Sequence, residues 1–257
     1  MPTYRGAFHL HSRYSYDSEI PISEMAELLK QRGFSFALMS EHVYHRAENR
    51  CLSEEELRNF IADCRRYSSP DFLMIPGLEF SCCDNKVHII VTPLSEPFAL
   101  NPIDNISKVI EAAHRRSALA VLVHPFFAEA YRRLTKEAWA HLDGFEVWNY
   151  GYQKWHGPSP AQYLKFRRWF KDLPELKAFA GIDLHRKSEV GEVFMEMELP
   201  ELKQEWVFRK LKDQDYKLGA MGRHFDSKGK LKNYLSHWIR QGREGVKRVS
   251  VRWLSGK

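Results

Sequence analysis

Nine side chains of the types that bind divalent metal ions stand at the ends of short apolar runs of the sequence. They are His9, His11, Asp17, His42, Glu79, His88, His124, Asp183 and His185. Imidazole and carboxylate together suit zinc, iron or manganese better than calcium or magnesium. Because such clusters from well-separated strands of one domain would converge around ions, we interpret the nine as candidate metal ligands.

Two of these groups have especially tight spacing, His9-Leu10-His11 and Asp183-Leu184-His185. Residues two apart in an extended strand project from the same face, so each pair is expected to turn both side chains toward one site. A lone His-x-His is more often a surface or structural feature than a metal site. The joint occurrence of the groups is what favours metal binding.

The elements that must position these residues follow from the alternation of apolar runs with amphipathic stretches, which predicts parallel α/β units. Strands are predicted at 7–11, 34–40, 72–75, 87–92, 119–123, 145–148 and 178–182, and helices at 23–31, 54–67 and 106–116. The run 87–92 is equally compatible with a hairpin partner. The candidate ligands fall mostly at the C-terminal ends of strands, where (β/α) barrel enzymes place their chemistry.

The length of 257 residues and the 44% hydrophobic composition allow a large core, and nothing divides the chain, so residues 1–257 are predicted to form a single domain. The net charge of +6 is unevenly placed. Residues 217–257 hold eleven Lys or Arg against Asp226 and Glu244, a balance of +9. The basic character therefore belongs to this C-terminal segment, which is expected to close or flank the barrel.

The C-terminal basic segment has two interpretations. Its basic side chains interleave with Tyr234, Trp238 and Trp253, a mixture that could track a phosphate backbone and stack on nucleic-acid bases. The favoured alternative is an amphipathic helix and a closing strand whose charges line the solvent face. The apolar positions of that alternative are Leu231, Leu235, Trp238 and Ile239, then Val249, Val251 and Trp253.

The location of the chain is expected to be cytoplasmic. No apolar stretch typical of a secretory signal opens the sequence, and no segment is long and uncharged enough to cross a bilayer, so no membrane partner is expected. The cysteines at 51, 64, 82 and 83 lack paired CxxC spacing. They are expected to be reduced thiols.

Between His9 and His185 the sequence resembles the polymerase and histidinol phosphatase (PHP) superfamily. The motifs that carry the resemblance are His9-Leu10-His11-Ser12, Tyr14-Ser15-Tyr16-Asp17, Ser40-Glu41-His42, Pro76-Gly77-Leu78-Glu79, His88, His124-Pro125, Gly144-Phe145-Glu146-Val147-Trp148-Asn149 and Gly181-Ile182-Asp183-Leu184-His185. The resemblance implies a distorted (β/α)7 TIM-like barrel and a trinuclear centre of two to three divalent ions (Zn, Mn or Fe).

The resemblance also implies how the ligands are shared. His9, His11, Glu79 and Asp183 would hold one ion; Glu79, His88 and His124 a second; Asp17, His42 and His185 a third. A hydroxide bridging two ions would attack a phosphoester, and the same ions would neutralise the phosphate and the leaving alkoxide. Glu79 is then the catalytic bridging carboxylate, and Asp183 or His185 is a candidate for proton relay to the leaving group.

Two positions depart from the family pattern. Ala7 stands where the family commonly has Asp, and Glu41 stands where it has Asp before the histidine of Thr-Asp-His. Neither change removes an implied ligand. Both alter groups that could orient ligands, so they bear on metal affinity and rate more than on the type of reaction.

Substrate-binding candidates follow the metal motifs. Arg13 and Arg186 are candidates for bidentate hydrogen bonds to phosphate, with His45 as a third, and solvated surface positions are the alternative for each. Glu146 is a catalytic or a structural carboxylate. Among the loop residues 150–162, Tyr150, Tyr152, Trp155 and His156 line a pocket wall or pack the loop.

The favoured function is a metal-dependent phosphoesterase acting on a phosphorylated small molecule or a nucleotide. The alternatives are a nuclease or oligonucleotide hydrolase that uses the same site with the basic C-terminal segment, and a non-catalytic metal-binding module. C–N hydrolysis by an amidohydrolase-like barrel also begins with His-x-His. It needs a bridging lysine, however, where this chain has Glu79.

Overall fold

The computed structural model describes residues 1–45, 50–97, 105–154, 157–191, 193–220 and 222–230. The side chains of His45 and Arg223 lie outside this description. So does the part of the C-terminal basic segment after residue 230. The helix, the closing strand and the polyanion-binding surface that the sequence suggests there are therefore outside the described residues.

The described residues form fourteen strands and seven α-helices. The strands are β1 Thr3–Phe8, β2 Phe36–Leu38, β3 Glu41–His42, β4 Tyr44–His45, β5 Arg50–Cys51, β6 Leu73–Ile75, β7 Leu78–Cys82, β8 Val87–Thr92, β9 Leu119–Val123, β10 Gly144–Asn149, β11 Lys177–Gly181, β12 Val193–Glu198, β13 Lys217–Ala220 and β14 Arg223–Asp226. The helices are α1 Ile22–Gln31, α2 Glu54–Arg66, α3 Ile106–His114, α4 Lys136–His141, α5 Tyr150–Gln153, α6 Pro160–Asp172 and α7 Gln204–Lys212.

Two six-stranded sheets form the body of the fold. Their strand orders are β14-β13-β12-β1-β2-β6 and β11-β10-β9-β8-β7-β3. Strands β1, β2 and β6 are parallel, as are β9, β10 and β11, whereas β8 runs antiparallel to both of its neighbours. The architecture is therefore mixed α/β, and β7–β8 is the hairpin that the sequence allowed as an alternative.

The ends of the first and eleventh strands are joined just beyond the regular sheets. Leu10 and Leu184 form a parallel bridge, and the backbone N–H of Ile182 donates to the carbonyl of Phe8 at 2.9 Å. The strands of the described residues do not appear as one closed sheet, so the (β/α)7 barrel stays a prediction.

Helix α2 shows how the local sequence builds the layer outside the sheets. Ser53 accepts a hydrogen bond from the N–H of Glu56, whose side chain accepts from the N–H of Ser53, a reciprocal cap that fixes the helix start. Its buried face, with Leu57 and Phe60 fully covered, packs into the core. Helix α1 begins differently, because its N-cap is Pro21, which makes no side-chain cap hydrogen bond.

No helix within the described ranges has the length and apolarity needed to cross a bilayer. None of the four cysteines, all of which lie in the described ranges, forms a disulfide.

Candidate metal centre

Three of the nine candidate ligands occupy left-handed backbone positions within two residues of a strand end. The φ angles are 66° at His9, 30° at His124 and 58° at Asp183. Non-glycine residues rarely adopt positive φ, which costs on the order of 1–3 kcal/mol, and such positions concentrate at functional sites. The prediction of a strand at 7–11 was therefore wrong at its C-terminal end, because the backbone turns at His9. This turn brings the His9-Leu10-His11 motif to the Asp183-Leu184-His185 motif.

The carboxylate of Glu79 lies at the centre of the site. Its Oε2 is 3.0 Å from Nε2 of His9 and 3.2 Å from Nε2 of His11, and its Oε1 is 2.5 Å from Nδ1 of His88 and 3.4 Å from Nε2 of His124. The side chain is 1% exposed. Nδ1 of His42 also lies 3.8 Å from Oε2. One buried carboxylate thus faces five imidazoles, three with Oε2 and two with Oε1, which is the arrangement expected of a ligand shared between ions.

Asp183 extends the group around Glu79. Its Oδ1 lies 3.3 Å from Nε2 of His9 and 3.7 Å from Nε2 of His11. The carboxylates of Glu79 and Asp183 therefore both face the Nε2 atoms of His9 and His11, and they do so from the ends of different strands. This is the donor set that the resemblance implies for one ion.

A second group forms around Asp17 at the more open side. Its Oδ2 is 3.3 Å from Nε2 of both His42 and His185. The ring of His11 stacks on those of His42 and His185, with centroids 4.3 Å away in each case. Asp17 and His185 are 32% and 23% exposed, so this group faces solvent more than the rest of the site does.

All nine predicted ligands thus come together in one cluster. Donor atoms within 4.8 Å of one another occur in four sets: His9 with His11 and Glu79; Glu79 with His88 and His124; His9 with His124 and Asp183; and His11 with His42 and His185. Asp17 joins the last set through the contacts described above. These sets could each hold an ion.

The polar atoms of the cluster support this fit. Nε2 of His11 and Nδ1 of His124 are buried and have no hydrogen-bond partner among the described residues. Burying an imidazole nitrogen unpaired is costly, and a cation beside Nε2 of His11, which faces Glu79, would satisfy that nitrogen. Burial, reinforced by His42 and His185, lowers the pKa of His11 to about 3, so His11 is neutral, which is the form that binds metals.

The carboxylates of the cluster keep their charge. Burial opposes ionisation of Glu79, but His9, His42 and His88 hold the pKa of its carboxyl well below the ordinary value. Burial likewise lowers the pKa of His9, but Asp183, Glu146 and Glu79 outweigh it and raise that pKa well above the ordinary value. Without ions, protons on histidines balance the buried negative charge. Divalent ions would replace those protons on binding.

Glu146 supports the cluster from behind. One oxygen lies 2.8 Å from Nδ1 of His9, and the other accepts from the backbone N–H of His124 at 2.6 Å and from Nδ2 of Asn149 at 2.9 Å. Glu146 therefore orients His9 and His124 but does not point into the space that the candidate ligands surround. The absence of a side chain at Gly181 makes room for it, because a Cβ there would lie 1.9 Å from Glu146 Oε1.

Ser15 connects Glu41, the residue that departs from the family pattern, to the cluster of candidate ligands. Its hydroxyl donates to Glu41 at 2.6 Å and accepts from the backbone N–H of His42 at 2.9 Å, and Nδ1 of His11 is 3.2 Å away. With the proton of His11 on Nδ1, its Nε2 lone pair is directed at Glu79 and Asp183. No role was predicted for Ser15, and its position in the sequence between His11 and Asp17 was the available signal.

Replacing Ser15 with alanine is expected to weaken metal binding by roughly ten- to a hundredfold, since groups that orient ligands typically have effects of this size. A competition titration with a chromophoric chelator would measure the affinity. Ser107→Ala, on the exposed side of α3, is the matched control. An unchanged affinity in Ser15→Ala, with both variants folded, would rule out this role for Ser15.

The predicted phosphate-binding residues are not in contact with the cluster in the described structure. The Arg186 side chain is 80% exposed and lies 3.9 Å from Glu189, and Arg13 is exposed next to the first motif. The side chain of His45 lies outside the described residues. All three therefore stay predictions.

No protein-family profile matches this chain, and no curated protein matches its sequence. Comparison with solved structures does find similar proteins. A two-domain protein from Bacteroides vulgatus that contains a predicted PHP-like metal-dependent phosphoesterase matches with a TM-score of 0.62 and 16% identity, over 85% of this chain and 65% of its own.

The lesion-specific endonuclease PfuEndoQ from Pyrococcus furiosus matches with a TM-score of 0.57 and 16% identity, over 84% of this chain and 58% of its own. An amidohydrolase from Chromobacterium violaceum matches with a TM-score of 0.51 and 15% identity, over 84% of this chain and 98% of its own. The chain thus spans less than two thirds of the first two proteins. At these identities the comparisons establish a shared fold, and that fold is one found in a PHP-like metal-dependent phosphoesterase.

Proposed function

We propose that this protein is a metal-dependent phosphoesterase that hydrolyses a phosphomonoester or a nucleotide at a trinuclear centre. One observation carries the proposal: donor atoms from widely separated strand ends converge around the buried carboxylate of Glu79. The fold shared with a PHP-like phosphoesterase supports the same function.

The residues divide into three ligand groups in this proposal. His9, His11, Glu79 and Asp183 would hold one ion, Glu79, His88 and His124 a second, and Asp17, His42 and His185 a third. Bound divalent ions would supply Lewis-acid activation of water and neutralisation of phosphate charge. Zinc, iron and manganese suit this donor set.

The protein's own side chains position these groups and admit the substrate. Glu146 holds His9 by its Nδ1, and Ser15 is hydrogen-bonded to both Glu41 and the backbone of His42. Asp17 and His185 are the more exposed members of the cluster, so the substrate phosphate approaches from their side. Arg13 and Arg186 follow the two motifs that border this opening and are proposed to bind its oxygens.

The proposal includes a distorted barrel within one domain. Support comes from the Leu10–Leu184 bridge and from the hydrogen bond between Ile182 and Phe8, which tie the end of β11 to that of β1. Further support comes from the short chain intervals between β2 and β3 and between β6 and β7, which link the two sheets.

A second candidate is hydrolysis of nucleic acid, since one protein of the same fold is an endonuclease. An amidohydrolase also shares the fold. The C–N hydrolysis that the sequence left as an alternative needs a bridging lysine. Within the described residues, the carboxylates of Asp17, Glu79 and Asp183 pair with histidines and with no lysine. The position shared between ligand groups is that of Glu79, which favours the phosphoesterase.

Phosphate release would test the proposal directly. Protein loaded with Mn, Zn or Fe is incubated with histidinol phosphate, nucleoside phosphates and short oligonucleotides. We expect release from a monoester that is lost in His9→Ala, whereas a preference for oligonucleotides that weakens steeply with salt would favour the nuclease. Absence of hydrolysis in every metal form, with metals bound, would leave a non-catalytic binding module.

A further inference from the structure

A cavity of about 220 Å³ opens beside the candidate metal centre. His124 and Glu146 lie at its inner end, and both also belong to or support the ligand cluster. A group bound in this cavity would therefore contact His124, a candidate ligand, and Glu146, which positions two of the ligands. The volume is smaller than the 300–1,000 Å³ typical of pockets for larger ligands, so it suits a single ring system.

The walls of the cavity are aromatic. Phe126 and Phe166 form one contact pair and Phe127 and Tyr152 another, each with ring centroids 5.4 Å apart. Tyr152 is 55% exposed and also covers the ring of His124, with centroids 5.0 Å apart. Flat ligands stack on such rings, and single bases of nucleic acids are commonly held in this way.

Two glutamine amides supply polar groups to the same cavity. The Oε1 of Gln153 accepts from the N–H of Asn149, and the Oε1 of Gln162 accepts from the N–H of Ser159, each at 2.8 Å. Each amide is thereby oriented with its oxygen engaged. Its NH₂ group has no partner among the described residues and is the donor left for a ligand.

The cavity therefore favours an uncharged flat ring with acceptors on its edge. Its charged lining side chain, Glu146, is already hydrogen-bonded through both oxygens. A nucleobase offers ring nitrogens or carbonyl oxygens to the two amides and flat faces to the aromatic side chains. A plain sugar or alkyl phosphate offers neither.

We infer that this cavity binds the base of a nucleoside monophosphate whose phosphate lies at the metal centre. The inference rests on the proposed function, and it selects a nucleotide over other phosphomonoesters. Of the aromatic loop residues considered from the sequence, Tyr152 contributes to the wall, whereas Tyr150 packs near Gly191. Trp155 and His156 lie outside the described residues.

The test compares hydrolysis of nucleoside 5′-monophosphates with that of ribose 5-phosphate, which lacks only the base. Gln153→Glu and Gln162→Glu retain the acceptor that each backbone N–H needs while replacing the donor with a negative charge. We expect the ratio of kcat/KM for nucleotide over ribose 5-phosphate to fall roughly tenfold in each variant. Gln204→Glu, at the exposed start of α7, is the matched control.

A binding measurement separates this inference from the proposed function. Adenosine, guanosine, cytidine and uridine, which carry no phosphate, are titrated into the metal-loaded wild type and into Tyr152→Ala by calorimetry. Binding of at least one nucleoside, weakened in Tyr152→Ala, supports the cavity as a base site even if no phosphate is released. Equal hydrolysis of nucleotide and ribose 5-phosphate, or no nucleoside binding, would overturn the inference and leave a phosphoesterase of other specificity.

Discussion

Glu79→Gln is expected to reduce phosphate release by at least about a hundredfold and to lower the number of bound metal ions. Glutamine keeps the shape of the side chain but has no negative charge and presents a donor on one side. Because the oxygens of Glu79 face His9, His11, His88 and His124, the change affects two ligand groups together. Metal content by mass spectrometry and phosphate release would be measured on the same preparations.

The matched control is Glu198→Gln, the same chemical change at an exposed position near the end of β12. It should leave metal content and activity at wild-type values. If Glu79→Gln instead retained its full metal content and rate, the bridging role of this carboxylate would be wrong.

Removal of metal ions by a chelator is expected to abolish activity and lower the melting temperature. An ion present at a hundred times its dissociation constant stabilises the folded state by about 2.7 kcal/mol. For a chain of this size that corresponds to roughly 5–10 °C per ion. Differential scanning fluorimetry with and without chelator would measure the shift, and readdition of Mn, Zn or Fe should restore both properties.

Asp17→Asn offers an internal comparison for the chelation experiment. It alters the group with His42 and His185 and leaves the group around Glu79 in place. Its chelator-induced shift should be smaller than that of the wild type and larger than that of Glu79→Gln. A wild-type melting temperature that responds neither to chelator nor to added ions would contradict a metal centre built from these residues.

Local sequence patterns were sufficient to place many of the strands. The buried strand at 119–123 was predicted with its observed bounds, since it lies in the apolar run 118–123 that Ser117 precedes and His124 follows. Candidate ligands at strand ends were also recognised, since polar residues after apolar runs are visible in one dimension. The comparison with solved structures confirms the resemblance at the level of the fold.

Contacts between distant parts of the chain were not predictable in the same way. The hydrogen bond between Glu146 and His9 joins residues 137 positions apart, so the sequence left the role of Glu146 open. The left-handed turn at His9 was missed because its neighbours have the pattern of a strand. Tertiary pairing with residues 182–184 determines where that strand ends, and no local signal carries this information.

The departure at Glu41 is explained by its surroundings. The carboxylate is buried and accepts hydrogen bonds from the N–H of Ser12 and the hydroxyl of Ser15. Its burial raises the pKa of the carboxyl despite these donors. Glu41 thus reaches the candidate ligands through Ser15. No described contact explains the alanine at position 7, which is fully buried in β1.

The bridge between the ends of β1 and β11 has a consequence for biosynthesis. His9 and His11 emerge from the ribosome long before Asp183 and His185, and at 5–20 residues per second the interval is on the order of ten to thirty seconds. A nascent chain therefore carries its first two imidazoles without the residues that enclose them. In the proposed function, metal loading is therefore a late event, completed only after most of the polypeptide has been translated.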